Sequence, residues 1–279
     1  MQAGTPILDY QKQIKFAYAD TGPQANERMK PRIVAVIPAR MASSRLPGKP
    51  LAEIAGLPMI EHVRRRAELC QCIDRVIVAT CDREIFDLVS NYGGEAVMTS
   101  DRHERCTDRV AEAIENQDAD IVVNVQGDEP LLIPDHLDAL VQPLLSDDSL
   151  ECTNLIAEIP EEMASSPNLV KVVFDNQRRA LYFSREAIPS RKKSGNLPIR
   201  FYRQLGIIAF RQPFLGRFLA LPPTPLEGIE SCDMMRAVEH GIEVRTIEVD
   251  FEKFGVDTPE DLEVANLAMT NDPLFNSYT

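Results

Sequence analysis

The first half of the chain alternates between two hydrophobic spacings. From residue 32 to residue 145, short apolar runs of strand length are followed by longer segments whose apolar residues recur at helical spacing. This alternation predicts βαβ crossovers and a mainly parallel sheet, hence an α/β fold. The predicted strands are Ile33–Ile37, Arg75–Ala79, Ala96–Met98 and Ile121–Val125, and the predicted helices are Met59–Leu69, Glu84–Tyr92, Thr107–Asn116 and Pro134–Leu145.

The pattern changes after about residue 150, where strand-like segments follow one another. The polar connector from Asp175 to Arg178 is typical of a hairpin. We therefore predict antiparallel strands that extend the sheet and form a lobe over its edge. The predicted strands are Thr153–Ile159, Val170–Phe174, Arg179–Phe183, Arg203–Phe210 and Glu243–Val249, with helices at Pro213–Leu219, at Leu226–His240 and from Pro259 onward behind a Thr258 N-cap.

Two segments stand apart from this α/β pattern. Residues 1–30 have a mixed polar pattern with Gly4 and Pro6, so we predict an N-terminal extension with a short helix around Asp9–Tyr18. Residues 31–279 are then one domain, with a first part at 31–150 and a second at 151–279. The polar stretch Ser190–Pro198 is either a mobile lid or a plain connecting loop.

Composition and charge exclude several classes of protein. The formal net charge of −13 argues against a general binder of nucleic acid or anionic membranes, whose footprint is basic. No apolar run approaches the roughly 18 residues of a membrane span, and the N-terminus lacks the layout of a signal peptide. We expect a cytoplasmic protein.

The cysteines and histidines predict no metal centre. Six cysteines occur without a CxxC pair, so we expect them to be reduced and structural. Cys70 and Cys72 form a CxC pair, but no matching cluster in the sequence completes a zinc site. The four histidines also show no ligand spacing.

A basic loop follows the first predicted strand. Arg40, Arg45 and Lys49 lie in it beside a Pro-Gly turn, and no acid occurs between residues 30 and 52. The loop is not a Walker A motif, because Pro50 prevents a helix from starting at Lys49. Cations and backbone N–H groups at the carboxyl edge of a sheet predict a phosphate-binding loop, although a solvated basic loop is the plainer alternative.

Two carboxylates are predicted at the same edge. Asp128 follows the strand Ile121–Val125, and Asp257 ends a short apolar segment before Thr258. Oxygen ligands facing phosphates favour Mg²⁺, whereas the alternative for each acid is an ordinary capping role. The polar loop Asp101–Arg109 either reads a base or is a solvated turn.

Four motifs together resemble one family. They are PARMASSRLPGKPL, NVQGDEP, NLVKVVFD with ALYFSR, and GVDTPEDLE, and they span roughly residues 32–270. In this order and spacing they resemble the 3-deoxy-manno-octulosonate (KDO) cytidylyltransferases, also called CMP-KDO synthetases. The resemblance implies a nucleotide-diphospho-sugar transferase fold of Rossmann-like type. It also implies a reaction in which CTP and an ulosonic acid give a CMP-sugar and pyrophosphate for lipopolysaccharide synthesis.

The resemblance also assigns roles to residues. It implies that the triphosphate is held by Arg40, Arg45 and Lys49, and that Mg²⁺ is held by Asp128 and Asp257. It implies a base pocket from the main chain after Pro38 and from the loop Arg102–Thr107. Acceptor contacts are expected in part from the second half of the chain, which the resemblance also makes a homodimer surface. The expected acceptor residues are Gln126, Arg185, Gln204 and Asp233.

Three departures from the family pattern concern the acceptor and base pockets. Gln204-Leu205-Gly206-Ile207-Ile208 replaces a HLGIY-type segment, and Asp233-Met234 replaces a Glu-Gln pair. Arg105-Cys106-Thr107 replaces the usual Ser-Gly-Thr of the base loop. The alternatives are therefore a cytidylyltransferase for a related acid sugar, a CTP-binding protein without acceptor activity, or an enzyme using UTP or GTP.

Overall fold

A computed structural model describes residues 30–43, 45–103, 105–250 and 255–279. The predicted N-terminal extension and its helix at Asp9–Tyr18 lie outside the described residues. Pro31–Thr279 form one unit. The roles assigned to its two parts stay predictions.

Most of the predicted strands and helices occur in the predicted order with small shifts at their ends, whereas the short strands Glu53–Ile54 and Leu57–Pro58 and the helix Glu161–Ala164 were not predicted. The strands are β1 (Ile33–Ala39), β2 (Glu53–Ile54), β3 (Leu57–Pro58), β4 (Arg75–Thr80), β5 (Glu95–Met98), β6 (Ile121–Asn124), β7 (Cys152–Ile159), β8 (Lys171–Phe174), β9 (Ala180–Ser184), β10 (Phe201–Arg211) and β11 (Arg245–Glu248). The helices are α1 (Met59–Glu68), α2 (Arg83–Asn91), α3 (Cys106–Ile114), α4 (Pro134–Ser146), α5 (Glu161–Ala164), α6 (Gln212–Ala220), α7 (Pro225–Glu230), α8 (Met234–Glu239) and α9 (Pro259–Met269). Two 3₁₀ turns are Lys49–Leu51 and Phe275–Ser277.

The main sheet has the strand order β11-β7-β10-β6-β1-β4-β5. Strand β1 pairs in parallel with β4 and β6, and β4 pairs in parallel with β5. Strand β10 runs antiparallel to both β6 and β7, while β11 runs parallel to β7. The antiparallel hairpin of β8 and β9 joins through β10. The predicted parallel sheet with an antiparallel extension is confirmed, although β7 and β11 are parallel to each other.

Strand β1 is buried on both faces, which explains its continuous apolar sequence. All seven residues of IVAVIPA are buried. Ile33 and Ile37 pack in one core cluster with α1, α2 and α4. Val34 and Val36 pack in a second cluster with α3, α6 and α8. Helices therefore cover both faces of the central strands, as parallel sheets require.

The predicted helix Leu226–His240 is wrong as a single element. Ser231 has a left-handed φ of 47° and separates α7 from α8. Arg185 donates to the carbonyl of Glu230 at 2.9 Å and to that of Ser231 at 3.2 Å, which satisfies the carbonyls exposed at the break. Glu227 and Arg236, one from each helix, form a buried ion pair at 2.6 Å. These long-range contacts hold the bend.

The C-terminal segment packs on α1. The hydroxyl of Tyr278 lies 2.9 Å from Nδ1 of His62 and accepts a hydrogen bond from Nε of Arg66 at 3.0 Å. Nε2 of His62 donates to the carbonyl of Ile54 at 2.7 Å. The last residues of the chain are thus tied to the helix that follows the basic loop.

Candidate active site

The basic loop returns to the sheet edge through a tight turn. Gly48 has a φ of 70°, which favours glycine, and its N–H donates to the carbonyl of Met41 at 3.2 Å. The N–H of Met41 in turn donates to Asp82, which follows β4, at 2.7 Å. Lys49 then begins a 3₁₀ turn with Pro50 in its first positions, so no α-helix starts at this lysine.

Lys49 joins the basic loop to both predicted carboxylates. Its Nζ atom lies 2.7 Å from Oδ2 of Asp128 and 3.1 Å from Oδ1 of Asp257. Nη2 of Arg45 lies 3.0 Å from the same Asp257 oxygen. Burial opposes the charge on Lys49, but the two carboxylates outweigh it and raise the pKa of the ammonium group. The sequence prediction that these groups meet at one edge is confirmed.

Local backbone contacts hold the two carboxylates in place. A Cβ atom on Gly127 would lie 3.0 Å from the carbonyl of Pro38, so only glycine lets this segment approach β1 so closely. The N–H of Val256 donates to the carbonyl of Asp128 at 2.9 Å and thereby ties the two acid-bearing segments together.

Asp257 is not the cap of α9. Thr258 is the N-cap, as the sequence predicts, and it forms a capping box with Asp261. Oδ2 of Asp261 also accepts from the N–H of Asp257 at 3.1 Å. The side chain of Asp257 is therefore left to meet Lys49 and Arg45.

A cavity of about 320 Å³ lies over these groups at the carboxyl edge of β1 and β6. The predicted residues on its walls are Arg40, Arg45, Lys49, Gln126, Asp128 and Asp257. A small cavity of about 50 Å³, lined by Pro38, Arg40 and His103, lies where the base pocket is expected. Cations and carboxylates thus face one space.

A second cavity of about 240 Å³ shares Cys106 and Gln126 with the first. Nε2 of Gln126 donates to the carbonyl of Gly206 at 3.0 Å, and a Cβ atom on Gly206 would collide with the Gln126 side chain at 2.5 Å. This cavity contains the predicted acceptor residues Gln126, Gln204 and Asp233, and also Thr107, which was predicted for the base pocket.

Side chains on the wall of the second cavity are hydrogen-bonded to neighbouring residues. The hydroxyl of Thr107 donates to Asp233 at 2.9 Å. Nε2 of Gln204 donates to Asn154 at 2.7 Å, and the thiol of Cys232 donates to Oε1 of Gln204 at 3.2 Å. Gln204 is therefore held in a fixed orientation at the cavity wall.

Two predicted substrate residues do not line these cavities. Arg102 is exposed on the loop before α3. All three nitrogens of the Arg185 guanidinium donate to backbone carbonyls, the third being that of Pro167 at 2.8 Å. Arg185 is thus used to hold the α7–α8 break, and its expected contact with an acceptor carboxylate has no support in this placement. Met234 is fully buried in the core.

Sequence reasoning did not assign Arg105 to the site. Its guanidinium contacts Asp233 and lies 3.3 Å from Glu227, and it lines the second cavity with Cys106. The sequence did contain a signal for Arg105, because Arg105 and Cys106 replace the Ser-Gly that is usual in the family at these two positions. Glu129 was also missed; burial and the neighbouring Asp128 carboxylate raise its pKa to about 8.

Comparison with known proteins places this site in a class. Residues 34–248 match a family model described as cytidylyltransferase. A solved CMP:2-keto-3-deoxy-manno-octonic acid synthetase complexed with CTP superimposes with a TM-score of 0.82 and 40% identity, covering 86% of this chain and 99% of that one. A cytidylyltransferase structure from Leptospira borgpetersenii, 18% identical with a TM-score of 0.58, shares the fold. The chain has the fold of a cytidylyltransferase, which is a class of nucleotidyltransferase.

Curated relatives narrow the class to one family. A 3-deoxy-manno-octulosonate cytidylyltransferase of Trichlorobacter lovleyi is 44% identical over 248 residues, covering 85% of this chain and 98% of the relative. One from Pelobacter propionicus is 46% identical over 240 residues, covering 82% and 94%. The chain belongs to the 3-deoxy-manno-octulosonate cytidylyltransferase family. Within the part of the chain that the structure describes, no helix is long and apolar enough to cross a membrane.

Proposed function

We propose that this enzyme transfers CMP from CTP to the anomeric hydroxyl of KDO and releases pyrophosphate. The observation that carries this proposal is the meeting of Lys49 with Asp128 and Asp257 in a cavity that shares its wall with a second, hydroxyl-binding cavity. A triphosphate in the first cavity and a sugar in the second have their reacting groups near the shared residue Gln126.

The protein supplies position and charge for this reaction. In phosphoryl transfer the enzyme aligns the attacking and leaving oxygens and stabilises the charge that develops on them. Arg40, Arg45 and Lys49 face the first cavity and are placed to bind the triphosphate. They would thereby hold the leaving pyrophosphate, while the walls of the second cavity orient the sugar hydroxyl.

The two carboxylates fit a magnesium ion. Oxygens of Asp128 and Asp257 both contact the single cation Lys49, so they lie close enough to share one ion, and carboxylate oxygens are the ligands Mg²⁺ prefers. When bound there, Mg²⁺ would polarise phosphate oxygens and lower the pKa of a nearby hydroxyl. With the ion present, Lys49 is free to donate to phosphate oxygens.

The second cavity fits a polyhydroxylated acid. Thr107, Gln126 and Gln204 offer hydroxyl and amide groups for sugar hydroxyls. Arg105 lines the same cavity, and its guanidinium pairs well with a carboxylate, although such a pair would replace part of its contacts with Asp233 and Glu227. We therefore assign the acceptor carboxylate to Arg105.

A related acid sugar is the second candidate acceptor. Gln204 takes the place of a family histidine and is fixed by Asn154 and Cys232, so its amide presents a different pattern of donors and acceptors. A pocket that hydrogen-bonds its substrate discriminates strongly against analogues with mismatched groups. A cytoplasmic homodimer working in lipopolysaccharide synthesis, which family resemblance favours, is part of this proposal.

A pyrophosphate-release assay tests the proposal directly. Purified enzyme with Mg²⁺ is given each of four NTPs in turn against a panel of sugar acids that includes KDO. We expect release with CTP and KDO, little release with the other NTPs, and none after chelation. Faster release with another acid sugar than with KDO would select the second candidate, whereas CTP binding with no release for any acid would contradict both.

A further inference from the structure

A second cluster of ligating atoms lies in the turn that joins α1 to β4, where this turn meets α4. Sγ of Cys70 lies 3.3 Å from Sγ of Cys72. The N–H of Cys72 donates to Oδ1 of Asp138 at 3.1 Å, and a carboxylate oxygen of Asp138 and both sulfurs lie within 4.8 Å of one another. None of the three residues lines the cavities of the active site.

We propose that Cys70, Cys72 and Asp138 form a binding site for a thiophilic divalent cation such as Zn²⁺. Two sulfurs and one carboxylate oxygen are three of the four ligands of a tetrahedral zinc site. Cys70 and Cys72 are 3% and 9% exposed, and Asp138 is half-buried. A water molecule would supply the fourth ligand. The CxC spacing alone gave no reason to expect this, because Asp138 comes from another helix.

The distances suit a metal better than a disulfide. With zinc–sulfur bonds of about 2.3 Å, two sulfurs of a tetrahedral site lie roughly 3.8 Å apart, so the observed pair needs to open by only about half an ångström. A disulfide needs a sulfur–sulfur distance of about 2.05 Å and an oxidant to accept two electrons. A small rotation of either side chain is sufficient for the metal.

Charge also favours a cation at this position. A divalent ion compensates the carboxylate and the thiolates together and displaces the thiol protons. Binding is therefore expected to weaken as the pH falls.

The site would tie the α1–β4 turn to α4. Both segments belong to the core cluster on one face of the sheet, so a cation there binds the folded state and stabilises it by mass action. The plainer alternative is that the two thiols act as small apolar groups in this core. The metal-site proposal and this alternative predict different responses of the protein to added metal ions.

Cobalt titration of the reduced, chelator-treated full chain separates them. Co²⁺ bound by thiolates shows intense charge-transfer absorption, which Co²⁺ on the carboxylates of the active site lacks. We expect this absorption to saturate at one ion per chain, Zn²⁺ to abolish it, and Zn²⁺ to raise the melting temperature. Asp138→Asn should weaken Co²⁺ binding by about tenfold or more.

Matched variants decide which sulfurs are involved. Cys70→Ser and Cys72→Ser should each remove most of the absorption. Cys81→Ser should retain it, because the Cys81 thiol donates to the Asp82 carboxylate at 3.6 Å and lies outside the Cys70, Cys72 and Asp138 cluster. Absence of thiolate absorption in the unaltered protein overturns the proposal, and so does absorption that survives in the Cys70→Ser, Cys72→Ser double variant. A mass lower by two hydrogens without reductant, with no metal bound, would identify a disulfide and also overturn it.

Discussion

Lys49 is the residue at which the charges of the active site meet. Its ammonium group contacts one carboxylate that follows β6 and another that precedes α9, although the three residues are far apart in the chain. The positions of Lys49 after β1 and Asp128 after β6 predicted that these two residues meet, because parallel strands carry their following loops to one edge. Asp257 follows none of these parallel strands and was a candidate only as an acid next to a helix start. The contacts of Arg105 could not be predicted in this way, since its partner Asp233 is 128 residues away on an unexpected helix break.

Removing either carboxylate should impair catalysis far more than folding. We expect Asp128→Asn and Asp257→Asn to lower kcat by at least about a hundredfold, the size of effect seen when one electrostatic stabiliser is removed. Both side chains are partly exposed, so the melting temperature should change little. Asp118→Asn is a matched control, because Asp118 pairs with Arg32 on the surface. If Asp257→Asn retained full turnover but had a lower melting temperature, Asp257 would be a structural residue and not a catalytic one.

Lys49→Ala should raise the KM for CTP much more than Arg32→Ala. Lys49 lines the nucleotide cavity, whereas Arg32 precedes β1 at the other end of that strand. Steady-state kinetics over a range of CTP concentrations at fixed ionic strength measures the difference. An equal rise of the KM for CTP in the two variants would mean that the basic residues attract CTP through a general positive potential and do not form a defined binding site.

Arg105→Ser should weaken binding of the acid sugar more than binding of CTP, because Arg105 lines the acceptor cavity and only borders the small cavity where the base is expected. The loss of one charge-assisted hydrogen bond, worth about 1.5–3 kcal/mol, predicts a rise in acceptor KM of roughly tenfold to a hundredfold. Arg102→Ser is the control, because Arg102 is exposed and lies off the cavity walls. An unchanged acceptor KM in Arg105→Ser would remove Arg105 from the site.

At the scale of elements, sequence patterns predicted the type and order of the strands and helices well. Strand β1 runs two residues beyond its predicted end, because pairing with β4 continues until Ala39 lies opposite Thr80. The break between α7 and α8 was not predicted. It is stabilised by hydrogen bonds from Arg185, which is distant in the sequence, and the local pattern of apolar and polar residues does not reveal such contacts. The same limit applies to Met234, which looked like a pocket residue in sequence but is buried in the core.

Docking of the C-terminal segment on α1 should make stability depend on pH through His62. Burial, with help from Arg66, lowers the pKa of His62, although the hydrogen bond to Ile54 opposes this. The neutral ring donates through Nε2 to the Ile54 carbonyl and accepts through Nδ1 from Tyr278. The unfolded chain binds the proton more tightly, so stability is present above about pH 6.5 and is lost as the pH falls toward the folded pKa.

Thermal melts at about pH 7 and about pH 5.5, which bracket the ordinary histidine pKa, measure this dependence. We expect the melting temperature to fall less between the two conditions in His62→Gln than in the unaltered protein. His240→Gln is the control, because His240 is exposed. The same fall in both variants would place the acid sensitivity elsewhere.

At the scale of the whole molecule, the main sheet contains near its middle a strand, β10, that comes late in the sequence. Strand β10 lies between β6 and β7 and joins the two parts of the chain, which therefore share one sheet and cannot be separate folding units. Strand β11 comes even later in the sequence and pairs with the other edge of β7. This arrangement also fixes where the acceptor cavity forms, since Gln204 and Gly206 of β10 face Gln126 after β6.

This order has a consequence for synthesis on the ribosome. Until Phe201–Arg211 emerges, β6 has one open edge and the largely buried β7 has no neighbouring strand. Unpaired apolar strands are prone to aggregate, so the nascent chain passes through a vulnerable interval of about 50 residues that ends when β10 is inserted. Ribosome-bound chains ending at residue 200 should be cleaved readily by protease within β7, and chains ending well beyond α6 should resist. Equal protection of β7 at both lengths would mean that it finds another partner first.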